Sequence, residues 1–178
     1  MAPACHAYDP QSPAVATILI SLIHAQDPRL VVHHVGSTSV PACAGKGVID
    51  LLVAYPAGLL STARELSHAL GFQGSASRNP FPEDRPMSLG SLHHDGRRYL
   101  IHAHVVSAQS PEVDELLRFR ARLEMDAAVR AQYVAEKRRQ LLEGVADSTD
   151  YALRKGGFIQ AAVQTRTVNP TPQPARPG

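Results

Sequence analysis

A hydroxyl-rich turn between two predicted strands carries the side chains best suited to chemistry. Gly36 is followed by Ser37, Thr38 and Ser39, and Lys46 lies a short distance further along the chain. Glycine lets a ligand approach the backbone, and the hydroxyl and amide groups behind it can donate hydrogen bonds to phosphate oxygens. A lysine adds a positive point charge to the same anion. The pattern therefore fits an anion-binding turn, although it is also typical of an ordinary Ser/Thr turn between strands.

The turn is not a Walker phosphate loop. With Gly45-Lys46 as its end, that loop would need glycine at position 40 and serine or threonine at position 47. The sequence has Val40 and Gly47 at those positions. This class of nucleotide-binding loop is therefore excluded.

Asp50 is the single acid in a strand that is otherwise apolar. The segment Val48–Val53 reads Val-Ile-Asp-Leu-Leu-Val, as in strands buried on both faces. An isolated buried carboxylate is costly, so Asp50 is a candidate catalytic residue and metal ligand. His102 and His104 alternate on another predicted strand and so share one of its faces. If the two strands are neighbours, the three side chains form a metal cluster that suits Zn²⁺, Mn²⁺ or Fe²⁺; otherwise they are hydrogen-bonded sheet residues.

The elements that must position these residues follow from hydrophobic periodicity. Ser12-Pro13 and Ser110-Pro111 each predict a helix N-cap followed by proline. Asp95-Gly96 predicts the turn of a β-hairpin. The remaining pattern predicts strands over Leu30–Val35, Val48–Val53, Met87–Leu92 and Arg97–Val106, and helices over Leu59–Leu70, 127–142 and 150–163. Together these elements predict an α+β fold with a mixed sheet and a helical C-terminal half.

Length and composition favour one globular domain. The chain has 178 residues, of which 44% are hydrophobic, so we expect one domain over residues 1–165. Residues 166–178 are rich in proline and poor in apolar side chains, and we expect a disordered tail there. The two cysteines, Cys5 and Cys43, allow neither a disulfide scaffold nor a CxxC zinc site, and Cys43 reads as a small buried side chain.

Charge and hydropathy argue against several classes of partner. Lys and Arg number 18 and Asp and Glu 16, giving a net charge of +2, so we expect neither nucleic acid nor a membrane surface as a partner. The sequence has no secretory signal pattern and no apolar run near the ~20 residues of a membrane span. We therefore expect a cytoplasmic protein.

Basic residues in the second half of the chain occur among acids. Positive charges on the predicted C-terminal helices, including Arg120 and Lys137, alternate with residues such as Glu124 and Glu136. This alternation predicts a solvated, charge-laced face. Four further arginines near the long loop and hairpin could clamp a phosphate, but an exposed surface position is commoner for each of them: Arg78, Arg85, Arg97 and Arg98.

The segment His34–Pro41, together with Lys46 and Ile49-Asp50, resembles the GrpB family (UPF0157) of the nucleotidyltransferase superfamily. The resemblance covers about residues 8–163, with Tyr8-Asp9-Pro10 at its start. It implies a nucleotidyltransferase-like fold, in which a small mixed sheet carries helices mainly on one side. It also implies that the nucleotide phosphates bind Gly36, Ser37, Thr38 and Lys46, and that Asp50 is a catalytic metal ligand.

The sequence departs from the superfamily pattern at one position. Active members carry two acids in alternation on the strand, because both must face the same Mg²⁺. Here the partner of Asp50 is Leu52, which cannot ligate a metal. Superfamily members often carry a third acid on a neighbouring strand, so His102 and His104 are a partial replacement. The expected cofactor is a divalent metal, with Mg²⁺, Mn²⁺ and Zn²⁺ as the alternatives.

Two functions remain open at this point. The first is a nucleotidyltransferase-type enzyme that binds a nucleotide or a phosphorylated metabolite, with Asp50, His102 and His104 around the metal. The second is a non-catalytic module that binds a nucleotide or phosphate, or assists folding or regulation with a protein partner. Domains similar to this family occur fused to dephospho-coenzyme A kinase, which fits the second function. Nucleic-acid binding through the basic helices ranks third.

Overall fold

A five-stranded mixed sheet forms the centre of the chain in the computed structural model, which describes residues 5–74 and 81–142 together with Ile159 and Ala162. The strand order is β1-β2-β5-β4-β3. β2 and β5 are parallel, whereas the other neighbours are antiparallel. The strands are β1 (Val31–Val35), β2 (Val48–Tyr55), β3 (Gln73–Gly74), β4 (Met87–His94) and β5 (Arg97–Ser107).

The structure describes four complete helices in addition to the sheet, and a short 3₁₀ turn over Ser37–Ser39 follows β1. The helices are α1 (Ser12–Gln26), α2 (Leu60–Ala69), α3 (Pro111–Met125) and α4 (Ala127–Leu142). The predicted α+β class, with a mixed sheet and helices toward the C-terminal end, is confirmed. The predicted helix over 150–163 and the predicted tail over 166–178 lie outside the described residues, apart from Ile159 and Ala162. No helix in the described part of the chain is long and apolar enough to cross a membrane.

The two faces of the sheet carry different cores. On one face, α1 and α2 bury the larger cluster, in which Leu19, Leu51 and Ile101 are almost fully enclosed. On the other face, side chains of α3 pack on Val35, Leu52, Ala54 and Val106. Alternation along β2 explains this division, since residues of even number face α3 and residues of odd number face α1 and α2.

The strand register places the candidate metal ligands on the face that α3 partly covers. Asp50 pairs with His102, and Leu52 pairs with His104, across the parallel β2–β5 ladder. Paired residues project to the same side of a sheet, and so do alternate residues on one strand. The register alone therefore puts Asp50, His102 and His104 next to one another.

The helix caps and the hairpin turn that the sequence predicts are only partly confirmed. The Ser110 side chain caps α3 by accepting a hydrogen bond from the Glu112 amide, as predicted. The same prediction for Ser12 is wrong, because Gln11 is the cap residue and Ser12 is a buried residue of the first turn. Asp95 and Gly96 both have positive φ, as a type I′ hairpin turn requires.

Candidate functional site

A small hollow of about 80 Å³ opens where β2 and β5 meet the 3₁₀ turn and α4. Most of the side chains that line it are polar or charged: Ser37, Lys46, Val48, Asp50, His102, Tyr133 and Lys137. Two ammonium groups and one carboxylate thus share a space that sequence reasoning had assigned to phosphate and metal. The predicted residues Ser37, Lys46, Asp50 and His102 are brought together here.

The hydroxyl-rich turn is held by its own side chains. The Ser39 hydroxyl donates to the Gly36 carbonyl oxygen at 2.7 Å, and the Thr38 hydroxyl donates to the Val48 carbonyl oxygen at 2.9 Å. The second bond ties the turn to the start of β2. The structure places Ser37 on the hollow, whereas Thr38 does not line it. Thr38 therefore anchors the turn, and Ser37 is the residue of that turn that lines the hollow.

His34 completes this anchor from β1. Its Nε2 lies 3.0 Å from the Thr38 hydroxyl oxygen. A hydroxyl has one proton, and Thr38 donates it to Val48, so His34 must donate from Nε2. Burial lowers the pKa of His34 to about 4, and the positive charge of Arg120 adds to this effect while Asp50 opposes it. His34 is therefore neutral at pH 7.

Two glycines allow the backbone to pass close to the charged groups. A Cβ on Gly36 would collide with the Asp50 carboxylate, and a Cβ on Gly45 would collide with the Ser37 hydroxyl. The same Cβ would also lie 2.8 Å from the Lys137 ammonium nitrogen. These close approaches explain why small residues stand at both positions next to the hollow.

The sequence analysis missed two polar residues of the hollow, Tyr133 and Lys137. The charge pattern predicts that Lys137 is solvated, but its exposed fraction is only 6%. Its ammonium nitrogen lies 4.8 Å from the centre of the Tyr133 ring, a cation–π arrangement. Tyr133, Lys137 and Gln140 are the buried residues of α4 and share one helix face. That helical spacing, with a tyrosine one turn before the lysine, is the signal that could have identified it.

Tyr133 forms part of the hollow as a neutral phenol. Burial raises its pKa, and the negative charge of Asp50 raises it further. The hydroxyl therefore keeps its proton throughout the physiological pH range. It adds a neutral donor beside the charged groups.

Asp50, His102 and His104 form the cluster that sequence spacing predicted. The Asp50 Oδ1 lies 3.6 Å from His102 Nδ1 and 3.8 Å from His104 Nε2. Both distances exceed hydrogen-bond length. The three ligand atoms lie within 4.8 Å of one another, which is wider than the ~3.3 Å between ligands that share one ion at bond lengths near 2 Å, so the side chains would have to move closer together to hold a metal. The side chains are 18%, 36% and 20% exposed in chain order, so an ion can reach them from solvent.

The chemistry of the donors decides which metal fits. Mg²⁺ prefers oxygen ligands, and this cluster offers two imidazole nitrogens and one carboxylate. Zn²⁺ and similar ions accept that set. The Nδ1 of His104 is buried and has no hydrogen-bond partner among the described residues. Nε2 can present a lone pair to a cation only in the tautomer that carries the proton on Nδ1, and that buried N–H has no acceptor among the described residues.

The candidate arginines lie elsewhere or are paired. Arg85 forms an ion pair with Glu112, and Arg97 forms one with Asp9. Arg98 is exposed on β5, and Arg78 lies outside the described residues. Among the residues that the structure describes, the lining of the hollow includes no arginine. Cys43 is buried, as predicted, and burial raises the pKa of its thiol, so it is not an activated nucleophile.

Sequence comparison identifies relatives over most of the chain. A family model described as GrpB protein matches residues 4–165. A UPF0157 protein from Streptomyces coelicolor is 33% identical over 130 residues. That alignment covers 73% of this chain, and this chain spans 65% of the length of that curated relative.

Structural comparison supports the same fold. The crystal structure of conserved protein GrpB from Enterococcus faecalis matches with a TM-score of 0.68 at 21% identity, covering 90% of this chain and 97% of that one. The MgGTP-bound Cid1 poly(U) polymerase matches with a TM-score of 0.51 at 16% identity, covering 74% and 43% respectively. The expected nucleotidyltransferase-like fold is therefore confirmed, although the helices lie on both faces of the sheet rather than mainly on one.

Proposed function

This chain belongs to the GrpB family, and we propose that it binds a nucleotide or a phosphorylated metabolite through a phosphate group in the hollow beside Asp50. One observation carries the proposal: Lys46, Lys137 and Ser37 converge on a single small hollow. Lys137 is almost fully buried, and the hollow holds two ammonium groups against the single carboxylate of Asp50. A bound phosphate would add negative charge to a space whose lining carries an excess of positive charge.

Each lining residue has a distinct part in binding. Lys46 and Lys137 supply charge-assisted hydrogen bonds to phosphate oxygens, which are stronger than neutral ones. Ser37 supplies a hydroxyl donor from the anchored turn. Gly45 lets the backbone approach the same space, since it lies against Ser37 and Lys137. Because hydrogen bonds from His34 and Thr38 hold the turn, the Ser37 hydroxyl is positioned before the ligand arrives.

The reaction that this arrangement suits is nucleotidyl transfer. In that reaction an acceptor oxygen bonds to the α-phosphorus while the bond to pyrophosphate breaks, and negative charge gathers on the phosphate oxygens. Lys46 and Lys137 would stabilise that charge. Asp50, His102 and His104 are the residues that would hold a divalent cation, which would neutralise further charge there. MgGTP occupies the Cid1 poly(U) polymerase of similar fold, which is consistent with a nucleotide ligand.

Calorimetric titration tests the binding proposal. The chain is titrated with ATP, GTP, CTP, UTP and pyrophosphate, and the same series is run on Lys46→Met and on Arg138→Met. Loss of one charge-assisted hydrogen bond costs about 1.5–3 kcal/mol, so Lys46→Met should weaken binding about tenfold or more. Arg138 is exposed on α4 and serves as the control. Absence of saturable binding for every ligand would overturn the proposal.

A second function, a non-catalytic binding module, is favoured by one specific observation. Leu52 stands where a second acid would face the metal, and it is fully buried against α3. A site that has hydrogen-bond donors for phosphate but only one acid of the pair can bind a phosphorylated ligand without turning it over. Incubation with α-labelled nucleotides and Mg²⁺, Mn²⁺ or Zn²⁺ separates the two functions. Transfer that Asp50→Asn abolishes supports the enzyme, whereas saturable binding with no product supports the module.

A further inference from the structure

We propose that the hollow and the Asp50–His102–His104 cluster bind their ligands cooperatively, and that the cluster takes Zn²⁺ in preference to Mg²⁺. The phosphorylated ligand and the metal would then each bind more tightly in the presence of the other. This inference rests on the proposed function, since it requires a phosphate in the hollow. It adds the identity of the metal class and a coupling between the two parts of the site.

The first support is that the two parts share residues. Asp50 and His102 belong to the cluster, and both also line the hollow. His104 belongs to the cluster alone. A ligand in the hollow and an ion on the cluster therefore contact the same two side chains and lie within direct electrostatic range of each other.

The second support is the balance of charge. Lys46 and Lys137 bring two positive charges to the hollow, and Asp50 brings one negative charge. A divalent cation that binds alone would add to the repulsion from the two lysines. A phosphate that binds alone would meet the Asp50 carboxylate. Each ligand cancels the repulsion that opposes the other, so the coupling free energy is favourable.

The third support is the donor set and its coordination number. Two imidazole nitrogens with one carboxylate oxygen are the ligand types that Zn²⁺ accepts. Zinc sites with three protein ligands keep a further position open for water or substrate. Mg²⁺ would need oxygen ligands in place of the imidazoles, and the buried Leu52 offers none. The residues of this chain therefore disagree with the magnesium that the fold family implies.

Linked binding measurements test the proposal on the full chain. Zn²⁺ affinity is measured by equilibrium dialysis with and without AMP, a weak chelator of free metal, and AMP affinity is measured by calorimetry with and without Zn²⁺. Couplings between sites are commonly 5–150-fold, and we expect about tenfold here, equal in both directions by linkage. Mg²⁺ at the same concentration should change AMP affinity less than twofold.

Two histidine variants locate the coupling. His104→Gln should lose Zn²⁺ affinity and the coupling but keep metal-free AMP affinity, because His104 does not line the hollow. His93→Gln, at an exposed position on β4, should behave as the wild-type chain. AMP binding that is indifferent to Zn²⁺, or Mg²⁺ binding as tight as Zn²⁺, would overturn this inference and leave the proposed function standing. Absence of AMP binding in every metal state would instead count against the proposed function.

Discussion

The Gly36 backbone passes so close to the Asp50 carboxylate that any Cβ at position 36 would overlap it. Gly36 also adopts φ 76° and ψ −170°, a region that essentially only glycine occupies. The turn that leaves β1 is therefore packed directly on the acid of β2. This contact fixes where Ser37 lies relative to Asp50, and so joins the proposed phosphate-binding and metal-binding halves of the site.

Gly36→Ala is expected to lower the free energy of unfolding by about 3 kcal/mol, because it combines backbone strain with the overlap on Asp50. Gly58→Ala is the matched control. Gly58 also has positive φ, but a Cβ there would meet no atom within 4 Å, so strain alone should cost about 1 kcal/mol. Urea denaturation measures both values. Equal costs for the two variants would contradict the close packing of Gly36 on Asp50.

Leu52→Asp restores the two-acid spacing of active superfamily members, yet we expect it to unfold the chain rather than activate it. Leu52 is fully buried among Val35, Ala54 and Val106, under apolar side chains of α3. An unpaired buried carboxylate belongs to the most destabilising class of substitution, at about 4 kcal/mol or more.

Urea denaturation and circular dichroism check this outcome, with Leu52→Met as the volume-conserving control that should cost under about 1.5 kcal/mol. A Leu52→Asp chain that keeps wild-type stability would show that the space beneath α3 accepts a charged ligand. The account of Leu52 as a core residue would then be wrong.

Lys137→Met should weaken pyrophosphate binding about tenfold or more, because it removes one charge-assisted hydrogen bond. Methionine keeps an apolar chain of similar length over the Tyr133 ring. Arg138→Met, one residue further along α4 and exposed, should change the affinity less than twofold. Calorimetry measures the affinities, and thermal unfolding verifies that each variant is folded. Unaltered binding in Lys137→Met would remove Lys137 from the site.

The fold was predictable from the sequence because its signals are local. The apolar run of β2, the Asp95-Gly96 turn and the Ser110 cap each act within a few residues, and each prediction holds. The Asp50–His102–His104 cluster was also predictable from the sequence. The prediction needs only the alternation of side chains along a strand and the assumption that the two strands are neighbours. The prediction that Ser12 is the N-cap of α1 is wrong because the start of the helix depends on the preceding chain. There the Asp9 carboxylate accepts a hydrogen bond from the Gln11 amide.

Lys137 could not be placed in the same way. Acidic and basic residues alternate around it, and this alternation predicts a solvated face for the whole stretch. Glu136 and Arg139 do form an ion pair on α4, but Lys137 between them is buried. Whether a helix face is buried depends on which surface the helix docks against. The sequence does not state that α4 lies over the turn at Gly45, so the burial of Lys137 required the tertiary structure.

His34 should make folding stability depend on pH between about 4 and 6.5. Its pKa is about 4 in the folded chain and ordinarily near 6.5 when unfolded. The unfolded chain therefore binds the proton more readily. The contribution of His34 to the free energy of unfolding is fully present above pH 6.5 and is lost as the pH falls toward 4. Between pH 7.5 and 4.5 this amounts to roughly 2.5 kcal/mol.

Urea denaturation at both pH values, on the wild-type chain and on His34→Gln, isolates this contribution from the other titrating groups. Glutamine keeps an N–H donor for the Thr38 hydroxyl but does not titrate. The pH dependence should shrink by roughly 2.5 kcal/mol in His34→Gln. His24→Gln, at an exposed position on α1, should leave it nearly unchanged. An identical pH dependence in His34→Gln and the wild-type chain would contradict a neutral, buried His34.

The most direct measurement of the central claim is a crystal structure of the chain grown with a non-hydrolysable nucleoside triphosphate. We predict density for a phosphate group in the hollow, within hydrogen-bond distance of the Ser37 hydroxyl and of the Lys46 and Lys137 ammonium groups. A nucleotide bound elsewhere with this hollow filled only by solvent would contradict the claim.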